Sequence, residues 1–460
     1  MGSKKNAWLK FDDTKKEEIF SFCEGYKKYI SDCKTERESI KEAIYLAESK
    51  GYRDLKNVIS AGKSLKAGDK VYYNNMDKSL ALFLIGSESI ESGMRIIGSH
   101  VDSPRLDLKP NPLYEDSELS LMETHYYGGV KKYQWVTIPL ALHGVVVKKD
   151  GTKIDVVVGE EETDPVVMVS DLLVHLASEQ QQKKATEVIA GEDLNILVGS
   201  MPLEGEEKES VKANILKLLK EKYDFEEEDF MSAEIEIVPA GKARDLGLDR
   251  SMVAGYGHDD RICAYTSLLA LLETESTKKT SVVLLVDKEE VGSIGATGMQ
   301  SRFFENAVAE LMDRVGEYSE LKLRRALANS KMLSSDVTAA FDPNYAGAYE
   351  KKNSAFFGKG LAFAKYTGAR GKSGCNDANA EFVAWLRNVM DENDVAYQIA
   401  ELGKVDQGGG GTIAYILAEY GMEVIDCGVA LQNMHAPWEV ASKVDIFETM
   451  RGYKAFLMAE

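Results

Sequence analysis

A wholly apolar run, Val282 to Val286, ends abruptly in Asp287-Lys288-Glu289-Glu290-Val291-Gly292-Ser293. With no polar face along it, the segment Ser281 to Val286 reads as a strand covered on both sides, the pattern of a sheet sandwiched between helices. In open α/β sheets of that kind, ligands sit beyond the carboxyl ends of the strands. Two adjacent carboxylates therefore stand where chemistry is expected. Neighbouring residues of an irregular turn face different ways, so one glutamate can hold a metal while the other handles a proton. A Glu-Glu pair alone is ordinary surface charge. This one gains meaning because four other segments supply metal-type side chains.

The rest of the chain is organised around that strand. Lys15 to Glu48 has the spacing of one or two amphipathic helices, and Leu80 to Ile85 and Gly93 to Gly98 read as strands. From about Lys109 the character changes. Short β-like runs come first, Trp135 to Leu142, Gly144 to Lys148 and Ile154 to Val158, and a helical segment follows over Ser170 to Glu187. A charged stretch, Glu204 to Asp229, contains the amphipathic run Val211 to Leu219 and a solvated acidic cluster at Glu226 to Asp229. Glu234 to Val238 alternates like a strand and stops at Pro239. From about Gly241 onward the strand-then-helix rhythm of an α/β domain resumes. The expected layout is a discontinuous catalytic α/β domain, residues 1–108 and 241–460, interrupted by a β-rich inserted domain over 109–240.

Bulk properties narrow the function. The 460 residues carry 56 lysines and arginines against 75 acids, a net charge of −19. So acidic a chain argues against non-specific binding to nucleic acid or to an anionic membrane. No stretch approaches the roughly 18 apolar residues of a membrane span, and the polar Met1 to Asp13 lacks an apolar signal core. A cytoplasmic location is expected. Cys23, Cys33, Cys263, Cys375 and Cys427 are scattered and form no CxxC pair, which suits free thiols and argues against a thiolate zinc site.

The other metal-type residues come in sequence order. His100 and Asp102 form an H-x-D pair just after the strand at Met94 to Gly98. Alternate residues of an extended segment point the same way, and a carboxylate beside an imidazole fixes its tautomer for metal binding. Asp259 and Asp260 precede a helix with apolar positions Ile262, Tyr265, Leu268, Leu269 and Leu272. A carboxylate there could bridge two cations, or it could cap the helix. Asp336 follows the short apolar approach at Met332-Leu333, and His435 follows the strand-like run Glu423 to Val429. Imidazole and carboxylate donors without cysteine suit zinc, cobalt or manganese. A carboxylate bridging two metals roughly 3.5–4 Å apart is the geometry of co-catalytic hydrolases. The spare glutamate would take a proton from the attacking water and deliver it to a leaving amine.

The ordered set Ser99-His100-Val101-Asp102-Ser103-Pro104-Arg105, Asp259-Asp260-Arg261, Asp287 to Ser293, Ser335-Asp336 with Asp342-Pro343-Asn344-Tyr345, and Met434-His435 resembles the family of aspartyl aminopeptidase and yeast vacuolar aminopeptidase I. These are binuclear zinc exopeptidases, and the match spans most of the chain. The resemblance implies a three-layer zinc-exopeptidase domain with a mixed central sheet and an inserted dimerisation or lid domain. It implies His100, Asp259 and Asp336 on one metal, and Asp259, Glu290 and His435 on the other. Glu289 would be the general base and then the general acid, and Asp102 would orient His100. A cis peptide is implied at Asp259–Asp260. The implied assembly is a dodecamer built from dimers, acting on peptide substrates with a two-metal activated water.

Substrate contacts are expected from His175, Lys365, Gly411 and Thr412. In the helix resembling the one that carries the family's subunit-crossing histidine, Asp171 takes that place and His175 lies one turn later; His125 and His143 are the other candidates. Ala339 and Asp342 stand where aspartyl aminopeptidases often carry histidines, so acidic, neutral and basic preferences all stay open. Gly371-Lys372-Ser373 lacks the earlier glycine of a phosphate loop, and neither HExxH nor GxSxG is present. The alternatives are an N-acyl amino acid deacylase or carboxypeptidase on the same scaffold, or a catalytically silent cage-forming protein.

Overall fold

The Ser281–Val286 strand enters a mixed nine-stranded sheet. The order is Arg53–Asp54, Lys70–Asn75, Ser79–Leu84, Ser281–Val286, Arg95–His100, Lys331–Ser335, Glu423–Gly428, Leu361–Ala364, Tyr397–Ile399. This is seen in a computed structural model that describes residues 5–460. The first four residues of the polar Met1–Asp13 stretch lie outside the described residues. The three strands at the sheet's centre, Ser281–Val286, Arg95–His100 and Lys331–Ser335, run parallel, and Glu423–Gly428 continues the parallel set.

The apolar run has the physical cause its pattern implies. Successive side chains feed two separate cores. Val283 and Leu285, with Leu80, Leu82 and Leu84, pack with Ala264, Leu268 and Leu271 of the His258–Leu272 helix and Phe447, Tyr453 and Phe456 of the Lys443–Met458 helix. Val282, Leu284 and Val286, with Ala81 and Phe83, pack with Phe304, Val308 and Leu311 of the Phe303–Arg314 helix. The expected N-terminal helical stretch is two helices, Asp13–Asp32 and Glu36–Ser49. Thr35 and Glu38 form a reciprocal capping box at the start of the second.

The chain divides into two compact units. The first takes the described residues through Asp102, then Ala243–Met434 and Glu439–Glu460. Besides the nine-stranded sheet it holds a five-stranded one, in the order Arg244–Leu246, Met252–Gly255, Glu439–Ser442, Ala430–Gln432, Thr338–Ala339. The second unit comprises Ser103–Lys242 and His435–Trp438. Its seven strands pair antiparallel throughout, with Leu140–Val147, Ala233–Pro239, Arg105–Asp116 and Leu119–Tyr127 at the centre. The Ser210–Tyr223 helix accounts for the amphipathic run at Val211 to Leu219.

Two local expectations need correction. The strand expected over Trp135 to Leu142 begins only at Leu140, because Thr137 takes a left-handed backbone (φ 59°) and Pro139 follows it, while Trp135 is a buried anchor. No α-helix forms over Ser170 to Glu187; turns and a short 3-10 segment at Gln180–Gln182 replace it. Leu172, Leu173, Val174 and Leu176 there are exposed, so the segment lacks the packed face from which a short helix draws most of its stability. A short helix, Ala414–Ala418, follows the Gly411-Thr412 loop. No helix among the described residues is long and apolar enough to cross a membrane.

Candidate metal centre

The parallel strands deliver their last residues to one edge of the sheet. In register, Val286 stands beside His100, and Ser334 beside Gly98. Val101-Asp102, Asp287 to Glu290 and Asp336 therefore all leave the sheet on the side where ligands bind such folds. The turn after Val286 is tightened by Asp287, which is fully buried. Its carboxylate accepts the Lys288 backbone N–H at 2.8 Å and the Thr297 hydroxyl at 2.6 Å. Lys288 adopts a left-handed backbone (φ 71°), and Glu289 and Glu290 open the short 3-10 helix that follows. From the opposite direction, the His258–Leu272 helix begins with Gly257 in a left-handed conformation (φ 75°) and a cis peptide between Asp259 and Asp260.

His100 is the hub. It is buried, with Nδ1 at 2.9 Å from the Asp102 carbonyl oxygen and 3.3 Å from Asp102 Oδ1. Its Nε2 lies 3.2 Å from Asp259 Oδ1 and 3.7 Å from Glu289 Oε2. The Asp102 carboxylate in turn accepts the backbone N–H groups of Glu289 and Glu290, each at 3.2 Å. One aspartate thus ties the imidazole to the Glu-Glu turn. Ligand atoms of His100, Glu289 and Glu290 lie within 4.8 Å of one another, as do those of His100, Asp260 and Asp336.

Asp260 is the residue that the sequence undervalued. The sequence leaves it open between bridging cations and capping the helix; in the structure it is fully buried beside the Cys263 thiol, and neither carboxylate oxygen meets hydrogen-bond geometry with a protein group. Its signal in the sequence was the doubled aspartate itself, which capping does not require.

The electrostatics describe a site built for positive charge. Burial pushes the Asp260 carboxyl well above its usual range, and Asp336 nearby pushes it further. Asp336 is raised by its own burial and then by Glu289. Burial alone would lower the His100 pKa, yet Asp102, Asp259 and Glu289 hold it well above normal. Crowded, buried carboxylates with a hydrogen-bonded imidazole, and the two Asp260 oxygens outside any protein hydrogen bond, fit divalent cations that would displace those protons. The donor set contains no thiolate and suits zinc and its neighbours.

The remaining candidates are placed as follows. His435 lies on the turn between the Ala430–Gln432 and Glu439–Ser442 strands, with Nδ1 3.0 Å from the Gly129 carbonyl oxygen. Thr412 donates to Asp426 Oδ1 at 2.6 Å, and burial raises that carboxyl to about 6. Gly411 is exposed in the loop before it. Lys365 is half-exposed and pairs with Asp377 at 3.6 Å. His175 sits in the exposed apolar turns of the second unit, His125 Nδ1 lies 2.7 Å from the Tyr126 carbonyl oxygen, and His143 is buried against Glu160 at 3.0 Å.

Comparison with known proteins places this arrangement in a family. The family model described as Aminopeptidase I zinc metalloprotease (M18) matches residues 29–457. The chain is 66% identical over 454 residues to a probable M18 family aminopeptidase 1 of Clostridium acetobutylicum, covering 98% of each chain. It is similar to the crystal structure of an M18 family aminopeptidase from Thermotoga maritima, with a TM-score of 0.95, 45% identity and 99% of each chain covered. The mApe1 dodecamer of S. cerevisiae shares the fold at a TM-score of 0.77 and 20% identity, over 95% of this chain and 96% of that one. With the family model matching nearly the whole sequence, the chain belongs to the M18 aminopeptidase I family of zinc metalloproteases, which are peptide-bond hydrolases.

Proposed function

We propose that this aminopeptidase removes N-terminal residues from peptides at a centre of two divalent cations, zinc by preference. The observation that carries the reading is the constellation of buried His100, Asp102 and Asp259 with half-buried Glu289, gathered from two strand ends and a helix start, with Glu290, Asp260 and Asp336 beside it. His100, Asp259 and Asp336 are the proposed ligands of one cation and Asp259, Glu290 and His435 those of the other. The contact between His435 Nδ1 and the Gly129 carbonyl supports Nε2 as its ligating nitrogen. Bound there, such cations supply Lewis acidity toward a carbonyl oxygen and lower the pKa of water.

The chain's own residues do the rest. Glu289 takes the proton from the attacking water on its carboxylate and passes it to the leaving amine, acting as base and then as acid. Asp102 holds the His100 ring in one orientation and, through the two amide bonds, sets where Glu289 and Glu290 stand. His175, Lys365, Gly411 and Thr412 are proposed to contact substrate.

In this reading the first unit is a three-layer zinc-exopeptidase domain, and the inserted segment 109–240 a dimerisation and lid domain. Dimers would assemble into a dodecamer. The exposed apolar run at Leu172 to Leu176 and the fold shared with the dodecameric mApe1 support that assembly. The test is metal titration of the chelated protein. Two equivalents of zinc per chain, with peptide hydrolysis appearing as they bind, are expected; hydrolysis that persists after complete chelation would refute the reading.

A further inference from the structure

A second buried acid stands behind the carboxylate cluster and has none of the roles above. Glu439 opens the Glu439–Ser442 strand, is 1% exposed, and pairs across the five-stranded sheet with Gly255. From Gly255 the neighbouring strand runs through Tyr256 and Gly257 into the helix that starts at His258. Glu439 Oε2 reaches over this bend and accepts the backbone N–H of Asp259 at 3.1 Å. The donor is the amide of a proposed ligand, so the bond fixes the base from which the Asp259 carboxylate extends to His100 Nε2, 3.2 Å away.

The rest of the bend is gripped from other sides. The Tyr26 hydroxyl lies 2.5 Å from His258 Nδ1, with the two rings stacked. The Arg261 guanidinium stacks over Tyr256 and donates to the Lys34 carbonyl oxygen at 2.7 Å. These contacts hold His258 and Arg261 by their side chains, whereas Glu439 holds the backbone of Asp259 itself. A buried carboxylate also adds negative charge close to a cation site, where the low dielectric weakens its screening.

We propose that Glu439 is a positioning residue of the metal centre, seating Asp259 through its amide and strengthening cation binding through its charge. Partners of this kind, one step removed from the metal, typically change metal affinity by about 10–100-fold when removed. The inference rests on the proposed centre, and its test separates the two. Zinc affinities of chelated wild-type protein, Glu439→Gln and Glu439→Ala would be measured by competition with a chromogenic chelator, with circular dichroism and thermal unfolding of the metal-free forms alongside.

Glu439→Ala is expected to bind zinc about 10–100-fold more weakly. Glu439→Gln, which keeps an acceptor oxygen but not the charge, should fall between it and wild type. A purely structural role would lower the unfolding temperature of the metal-free protein and leave zinc affinity unchanged in the folded variants; that result overturns the inference. If Glu439→Ala does not fold, Glu439→Gln decides alone: weaker zinc binding supports the role and wild-type affinity overturns it. Failure of the wild-type protein to take up zinc would overturn the proposed centre, and this inference with it.

Discussion

Asp102 illustrates what a single side chain reveals and hides. The H-x-D spacing already suggested a carboxylate orienting an imidazole, and the structure places Asp102 Oδ1 at 3.3 Å from His100 Nδ1. Its second task, accepting the Glu289 and Glu290 amides, depends on the register of two strands nearly two hundred residues apart in sequence and leaves no local trace. Glu289 itself was legible from its neighbour Glu290 and the strand before them. Glu289→Gln is expected to keep its zinc content while losing about two to four decades of kcat; full activity in that variant would remove Glu289 from the mechanism. Asp245 makes a prediction away from the centre. Burial alone would raise its pKa, but Lys27, Lys443 and Arg250, at 2.7, 2.8 and 2.6 Å, hold it well below the usual carboxylate range. A depressed folded-state pKa means stability that is present above the unfolded value of about 4 and lost as pH falls below it. Asp245→Ala also leaves the fully buried Lys443 without its partner, a loss on the order of 3–5 kcal/mol. Urea unfolding across pH 3 to 7 should show lower stability and a shallower acid-side decline in the variant.

Among the elements, strands buried on both faces were the easiest to read. Ser281–Val286 appears with the limits its composition implied, because each side chain from Val282 to Val286 enters one of two cores. The segment from Ser170 to Glu187 departs from its helical spacing because Leu172, Leu173, Val174 and Leu176 stay exposed, with no core to face among the described residues. The close approach of neighbouring strand ends was also invisible in the sequence. Gly428 ends the Glu423–Gly428 strand where a Cβ would sit 2.0 Å from the Asp336 carbonyl oxygen and 3.0 Å from Cys263 Sγ. Since Asp336 also donates its N–H to the Cys427 carbonyl oxygen at 2.8 Å, that methyl group must push the proposed ligand's backbone away. Gly428→Ala is therefore expected to cost about 1–3 kcal/mol or more in chemical unfolding and to weaken zinc binding as well. Unchanged stability would contradict the packing described here.

For the whole molecule, the exposed apolar run is the feature that the single chain does not explain. Val174 and Leu176 are 67% and 66% exposed, with Leu172 and Leu173 beside them. Contiguous exposed apolar surface marks an interaction site more often than chance exposure. A double substitution, Leu173→Asp with Val174→Asp, should shift the protein to smaller species in light scattering while the metal-free fold persists; an unchanged mass would place the assembly surface elsewhere. Membership of an aminopeptidase family implies chemistry on free N-termini. The most direct test is a hydrolysis panel with zinc-loaded protein, pairing free-amine Asp, Glu, Leu and Lys substrates with their N-acetylated counterparts. Cleavage confined to the free amines is the predicted result, and the preferred residue would define the specificity that Ala339 and Asp342 leave open. Cleavage of the acetylated set, or of neither set, would contradict the account.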